Sequence, residues 1–162
     1  MEDIAILKGK RILAVDDEPD VLDVICEELS QCEVVTVKDF DSAQKLIETE
    51  KFDLAILDIM GVNGFHLLEL CTLKNLPAAM LTAKATDIRS MNRALNLGAV
   101  SFLPKEEMGS LEVLTAEILQ GLQEGKSHWR KLFDRLGPLF KRKFGIVWED
   151  LEKPSQIRIP WD

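Results

Sequence analysis

The sequence predicts an α/β fold in which five parallel strands are covered by helices on both faces. Three observations support this prediction. Five short apolar runs recur along the chain, each is followed by a stretch with apolar residues at helical spacing, and four of the runs end on a charged or polar side chain. Strands that alternate with helices in this way usually form one doubly wound parallel sheet.

The first two strand and helix pairs have clear local signals. Residues 11–15 read RILAV, a run typical of a buried strand, and Pro19 suits the first turn of the helix that follows. Residues 33–37 read EVVTV, whose β-branched side chains favour a strand. The next helix is predicted over 41–50 with Asp41 as its N-cap, because a short carboxylate can accept a hydrogen bond from a free amide of the first turn.

The remaining three pairs repeat the pattern. The predicted strands are residues 52–58, 77–82 and 99–105, and the predicted helices are residues 65–74, 86–98 and 110–123. Gly64 precedes the third helix, and Gly98 is the expected C-terminal stop of the fourth because glycine readily adopts the left-handed conformation there.

The composition is ordinary for a soluble globular chain of 162 residues, with 46% hydrophobic and 30% charged residues. No stretch approaches the roughly 18 apolar residues that a membrane span needs. The first residues do not resemble a signal peptide. The three cysteines form no CxxC motif, so we expect reduced thiols in a cytoplasmic protein.

The side chains at the strand ends predict a site. Asp16 and Asp17 follow the first strand, and Asp58, Thr82 and Lys105 end the third, fourth and fifth. The carboxyl ends of parallel strands meet at one edge of the sheet, where open α/β folds place their ligands. Close carboxylates repel by about 1–4 kcal/mol per pair at intermediate dielectric, so gathering three of them favours a bound cation. Oxygen ligands of this kind suit Mg²⁺.

This set of groups also predicts a reaction. A carboxylate can act as the nucleophile towards a phosphoryl group, while a metal ion and a lysine neutralise the charge that develops on the transferring oxygens. A hydroxyl can donate a hydrogen bond to one of those oxygens. The sequence therefore indicates a site at which an aspartate accepts phosphate.

The motifs that carry these groups resemble the receiver domain of bacterial two-component response regulators. The matching stretches are ILAVDDEP at 12–19, FDLAILD ending at Asp58, MLTA at 80–83 and FLPK at 102–105. The resemblance covers roughly residues 9–124. It implies the flavodoxin-like (βα)5 fold with strand order 2-1-3-4-5.

The resemblance also implies a role for each matched residue. Asp58 is implied to accept phosphate from a sensor histidine kinase or a phosphotransfer protein. Mg²⁺ is implied to bind Asp17, Asp58 and the carbonyl of Met60 directly, and Asp16 through a water. Thr82 and the amide of Ala83 are implied to contact the phosphoryl oxygens, and Lys105 to pair with one of them.

Signal output is implied to run through protein contacts with a downstream partner. Phe102 matches an aromatic residue that turns inward when Thr82 moves, and residues 87–123 would form the output surface. On this interpretation the chain is a phosphoacceptor signalling protein and not a turnover enzyme.

Two departures from the family pattern are visible. The stretch DIMGVNG at 58–64 reaches its glycine two residues early and lacks the usual proline. The family lysine is usually followed by proline, whereas Glu106 follows Lys105 here, so we expect a trans peptide bond at that point.

Two alternatives remain open. A pseudo-receiver that binds partners without taking phosphate is favoured by the altered loop. An aspartyl-phosphate phosphatase is disfavoured because Met60 stands where that chemistry needs a second aspartate.

The charge distribution divides the chain into a receiver domain at 1–124 and an extension at 125–162. Residues 1–121 carry 11 basic and 22 acidic side chains, whereas residues 122–145 carry seven basic and two acidic ones. Apolar residues recur in the extension at steps of three and four, which predicts amphipathic helices broken at Gly137-Pro138.

The extension has several interpretations. We expect it to pack on the receiver or to pair two copies of the chain in a homodimer, with a membrane-surface or partner-docking role as the alternatives. Nucleic acid is a disfavoured partner, because the body is acidic and the extension is too short for a typical winged-helix domain.

Overall fold

The computed structural model describes residues 4–83 and 86–125. The basic helical extension predicted for 125–162 therefore lies outside the described residues, apart from Gly125 at its start. None of the described helices combines the length and apolar character that a membrane crossing needs.

The predicted parallel sheet is confirmed. The strands are β1 Arg11–Val15, β2 Glu33–Val37, β3 Leu54–Asp58, β4 Ala78–Thr82 and β5 Ser101–Pro104. All neighbours pair in parallel and their order is β2-β1-β3-β4-β5, as the resemblance implied. Every residue of β3 and β4 is buried, because these strands lie inside the sheet and helices cover both of its faces.

Five α-helices alternate with the strands. They are α1 Pro19–Glu28, α2 Phe40–Thr49, α3 Gly64–Leu73, α4 Ile88–Asn96 and α5 Leu111–Glu124. Two short 3₁₀ helices, Ile4–Leu7 and Lys105–Ser110, were not predicted from the sequence. The second shortens the predicted last strand, since the chain turns directly after Pro104.

The sheet separates two hydrophobic layers. On one face, α1 and α5 bury Leu22, Ile25 and Leu114 against β1, β3, β4 and β5. On the other face, α2, α3 and α4 bury Ile47, Leu68 and Met91. This packing fixes the strand ends in space, so the side chains at those ends are held by a rigid framework.

The predicted N-cap of α2 is wrong. Asp39, not Asp41, precedes the first turn, and its Oδ1 accepts a hydrogen bond from the backbone N–H of Ser42 at 2.8 Å. Asp39 has the extended backbone of an N-cap residue, whereas Asp41 lies inside the first turn, where its side chain cannot reach back to those amides. The hydrogen bonds from Ser42 lower the pKa of the Asp39 carboxyl.

Candidate functional site

The structure places the chemical groups predicted from the sequence at one edge of the sheet. Asp58 pairs with Leu81 and Thr82 pairs with Pro104, so the ends of β3, β4 and β5 are aligned. Asp16 follows β1, next to β3 in the sheet. The alignment brings side chains from distant parts of the sequence to a common location.

Lys105 connects these strand ends. Its Nζ lies 3.0 Å from Asp16 Oδ2, 3.1 Å from Glu18 Oε1 and 3.4 Å from Asp58 Oδ1. The Lys105 side chain is 17% exposed, while that of Asp16 is fully buried and that of Asp58 is nearly so. A single ammonium therefore contacts two buried carboxylates and offsets part of the repulsion between their negative charges.

The charges in this cluster perturb one another. Burial raises the pKa of the Asp16 carboxyl, although the Glu18 amide and Lys105 favour the charged form. Burial alone would lower the pKa of the Lys105 ammonium, but its close ion pairs with Asp16 and Asp58 outweigh burial and raise it. Lys105 therefore stays protonated at neutral pH.

The loop after β3 holds the Asp58 carboxylate. The backbone N–H of Gly61 donates to Oδ2 at 3.1 Å, and that of Met60 makes a longer contact of 3.4 Å with Oδ1. A Cβ atom built on Gly61 would lie 2.5 Å from Asp58 Oδ2 and 2.7 Å from Asp17 Oδ1. The carboxylates of Asp17 and Asp58 thus face the same small space, which the absence of a side chain on Gly61 keeps open.

The acidic groups fit a divalent cation. Asp16, Asp17 and Glu18 can each offer an oxygen, and these oxygens lie within 4.8 Å of one another. Asp16 Oδ2 is buried and, although it is ion-paired with Lys105, it makes no hydrogen bond of good geometry. A set of oxygen donors with an open space beside them suits Mg²⁺.

Glu18 is a member of this cluster that sequence reasoning missed. Its backbone N–H donates to Asp16 Oδ1 at 2.8 Å, which is the Asx-turn that an aspartate before a helix commonly forms. This turn carries the Glu18 side chain back towards Lys105. The adjacent letters DDE in the sequence were the available signal.

The end of β4 holds Thr82 and Ala83, which the family resemblance implies to contact a phosphoryl group. Thr82 is buried and its Oγ1 has no hydrogen-bond partner among the described residues. The N–H of Ala83 donates to the hydroxyl Oγ1 of Thr86 at 3.0 Å.

Two further residues named by the resemblance lie elsewhere. Met60 is implied to bind the metal ion through its backbone carbonyl, and its side chain is largely exposed. Phe102 is completely buried.

The two departures from the family pattern have structural counterparts. The short loop after Asp58 turns through Asn63, whose φ of 54° is left-handed, and α3 then begins at Gly64. No cis peptide bond occurs among the described residues, so the prediction of a trans bond after Lys105 is confirmed.

Comparison with known proteins identifies relatives for most of the described region. The family model of the response regulator receiver domain matches residues 12–118. The regulatory protein VanRc of Enterococcus gallinarum is 37% identical over 103 residues, covering 60% of this chain and 44% of that protein. The heme response regulator HssR of Staphylococcus aureus is 35% identical over 100 residues, which cover 57% of this chain and 43% of that protein. The matches thus span less than half of these relatives.

Solved structures of response regulators share this fold. The receiver domain of NtrX from Brucella abortus superposes with a TM-score of 0.60 at 30% identity, covering 67% of this chain and 98% of that one. A putative response regulator from Chloroflexus aurantiacus superposes with a TM-score of 0.61 at 28% identity, covering 70% of this chain and 99% of that one.

Proposed function

We propose, since the chain belongs to the family of response regulator receiver domains, that Asp58 accepts a phosphoryl group from a histidine kinase or a phosphotransfer protein. Receiver domains of this family usually signal and do not turn over a metabolite, and the family implies a histidine kinase partner and a downstream effector. The contact of the Lys105 ammonium with both Asp16 and Asp58 is the observation that carries the proposal.

The proposed reaction is a displacement at phosphorus. A carboxylate oxygen of Asp58 forms the new bond to phosphorus while the bond from phosphorus to the donor nitrogen breaks, and the electron pair goes to that nitrogen, which takes a proton from solvent. Lys105, which already pairs with Asp58, is placed to neutralise the charge that develops on a transferring oxygen. The low exposure of both side chains strengthens this interaction by excluding water.

The acidic side chains supply the proposed metal site. Asp17 and Asp58, with the Met60 carbonyl, would hold Mg²⁺ directly, and Asp16 would contribute through a water. Bound Mg²⁺ would supply the positive charge that lets an anionic donor approach these carboxylates. Glu18 completes the acidic rim on the solvent side, since its side chain is 62% exposed.

The proposed signal starts at Thr82. The phosphoryl group on Asp58 gives an acceptor to the Thr82 hydroxyl, which has no partner among the described residues, and draws it towards Asp58. The Phe102 ring, which is already buried, then repacks around the moved side chain. Residues 87–123 then form the altered output surface for a protein partner. A phosphoryl group can shift this equilibrium only by its different interaction with the two states. We place the exchange in the cytoplasm because all three cysteines are unpaired, as in a reducing compartment.

The experiment is phosphorylation of the full chain by acetyl phosphate with Mg²⁺, followed by intact mass spectrometry. The proposal expects a mass gain of one phosphoryl group that disappears in Asp58→Asn and when the metal is chelated. Asp41→Asn is the matched control, because Asp41 is an exposed aspartate in the first turn of α2, whereas the ion pairs of Lys105 go to Asp16, Glu18 and Asp58. A phosphoryl gain that persists in Asp58→Asn would overturn the assignment.

The alternative is a pseudo-receiver that binds partners without phosphate. The shortened loop after Asp58, with its left-handed Asn63, is the observation that favours it. A complete lack of mass gain with acetyl phosphate, and with a histidine kinase as donor, would support this alternative.

A further inference from the structure

The hydroxyl of Thr86 stands in an unusual position beside the candidate site. Its Oγ1 accepts the N–H of Ala83 at 3.0 Å, and its own N–H donates to the Ala83 carbonyl at 3.0 Å. Thr86 is only 2% exposed, so this pair of hydrogen bonds is largely shielded from water. Two hydrogen bonds thus join Ala83 and Thr86 just after the end of β4.

The polar groups at the end of β4 differ in whether they already have a hydrogen-bond partner. Among the described residues the buried Thr82 hydroxyl has no hydrogen-bond partner, whereas the N–H of Ala83 already donates to the Thr86 hydroxyl. A backbone N–H makes one strong hydrogen bond at a time. An anion that takes the Ala83 amide must therefore first displace the Thr86 hydroxyl.

We propose that Thr86 is a positioning residue that keeps the Ala83 amide occupied in the unphosphorylated protein and so weakens binding of the phosphoryl group. This inference rests on the proposed function, because it assumes that a tetrahedral anion binds beside Asp58. It goes further by naming a side chain that competes with the phosphoryl oxygens for one donor. When the phosphoryl group binds, the hydrogen bond between Thr86 and the Ala83 amide is lost, and this loss reduces the free energy of anion binding.

Removing the Thr86 hydroxyl should affect the free protein and the anion-bound protein differently. Removing the Thr86 hydroxyl leaves the Ala83 N–H without its partner in the free protein, so the free protein loses stability. The anion-bound protein loses nothing, since the anion already satisfies that N–H. Anion binding should therefore become tighter while the free fold becomes weaker, a combination that simple structural damage does not produce.

The experiment uses the full chain and beryllofluoride, a mimic of the phosphoryl group, with Mg²⁺ present. Isothermal titration calorimetry measures the dissociation constant, and urea unfolding measures the stability of the free protein. Thr86→Val keeps the side-chain shape and should bind beryllofluoride about two- to tenfold more tightly than the wild type, the range expected for one neutral hydrogen bond. Thr86→Ser retains a hydroxyl and should bind as the wild type does.

Thr49→Val is the matched control. Thr49 is the last residue of α2, outside residues 87–123, and its hydroxyl donates a hydrogen bond to the Lys45 carbonyl at 2.7 Å. Its replacement should leave the beryllofluoride affinity unchanged. If Thr86→Val fails to fold, Thr86→Ala tests the same prediction.

The outcomes separate this inference from the proposed function. If the wild type binds beryllofluoride and both Thr86→Val and Thr86→Ala bind it equally or more weakly, the role of Thr86 is overturned and the phosphoacceptor assignment stands. If the wild type does not bind beryllofluoride at all, the proposed function fails and the role of Thr86 fails with it.

Discussion

Replacement of Gly61 by alanine tests whether the space between Asp17 and Asp58 is the metal site. The backbone of Gly61 does not need a left-handed conformation, so alanine is compatible with its dihedral angles. The effect must therefore come from the added methyl group. That group would lie 2.5 Å from Asp58 Oδ2 and 2.7 Å from Asp17 Oδ1, closer than Cβ atoms come to oxygen in real proteins.

The magnitude follows from these contacts. To reach 3.0 Å from the new methyl group, the Asp58 oxygen must retreat by about half an ångström. Retreat is opposed, because that carboxylate is held by the Gly61 amide and by Lys105. Metal sites tolerate changes of only about 0.2 Å in ligand distance, and Mg²⁺ demands near-ideal geometry. We expect Mg²⁺ binding to weaken at least about tenfold, with a stability loss of about 1–3 kcal/mol from overpacking.

The assay is a Mg²⁺ titration followed by calorimetry, together with the initial rate of phosphorylation by acetyl phosphate at fixed Mg²⁺. Gly109→Ala is the control, because a Cβ on Gly109 meets nothing within 4 Å. It should leave Mg²⁺ affinity and phosphorylation rate as in the wild type. Circular dichroism of each variant checks that the fold is retained.

One result would refute the reasoning. If folded Gly61→Ala binds Mg²⁺ with wild-type affinity and is phosphorylated at the wild-type rate, the ion does not use the space beside Gly61. The joint assignment of Asp17 and Asp58 as direct ligands would then be wrong.

Three further predictions concern stability. Gly64→Ala should lower the free energy of unfolding by about 3 kcal/mol or more. A Cβ at this position would collide with the carbonyl oxygen of Asp58, which belongs to the backbone and cannot turn away. Urea unfolding measures this loss, and an unfolding midpoint equal to that of the wild type would contradict the prediction. Asp39→Ala should destabilise the protein more than Asp41→Ala, since only Asp39 caps α2. The difference should shrink as the pH falls through the lowered pKa of Asp39, because a depressed carboxyl pKa stabilises the fold only while the group is ionised; unfolding curves at several acidic pH values test this. Lys105→Met should lower stability in Mg²⁺-free buffer by leaving two buried carboxylates without their cation, and added Mg²⁺ should then restore more stability to the variant than it adds to the wild type. An equal response to Mg²⁺ in both proteins would argue against a shared site.

The arrangement of strands and helices could be predicted because its signals are local. Hydrophobic runs, helical spacing and stop residues each depend on a few neighbouring positions, and parallel strands bring their carboxyl ends to one edge whatever the side chains are. Asp16, Asp58 and Lys105 were therefore predictable as neighbours before any coordinate was known, and their ion pairs agree with that prediction.

Other features depended on the tertiary structure. The choice of Asp39 over Asp41 as the cap, the return of Glu18 to Lys105 and the occupation of the Ala83 amide by Thr86 are each decided by turn geometry. Turns adopt one of several local conformations of similar energy, and packing against the rest of the chain selects among them. The sequence alone thus determined which chemical groups meet at the sheet edge, whereas the packed structure decided which hydrogen bonds those groups make, because a hydrogen bond depends on distances that only the folded backbone sets.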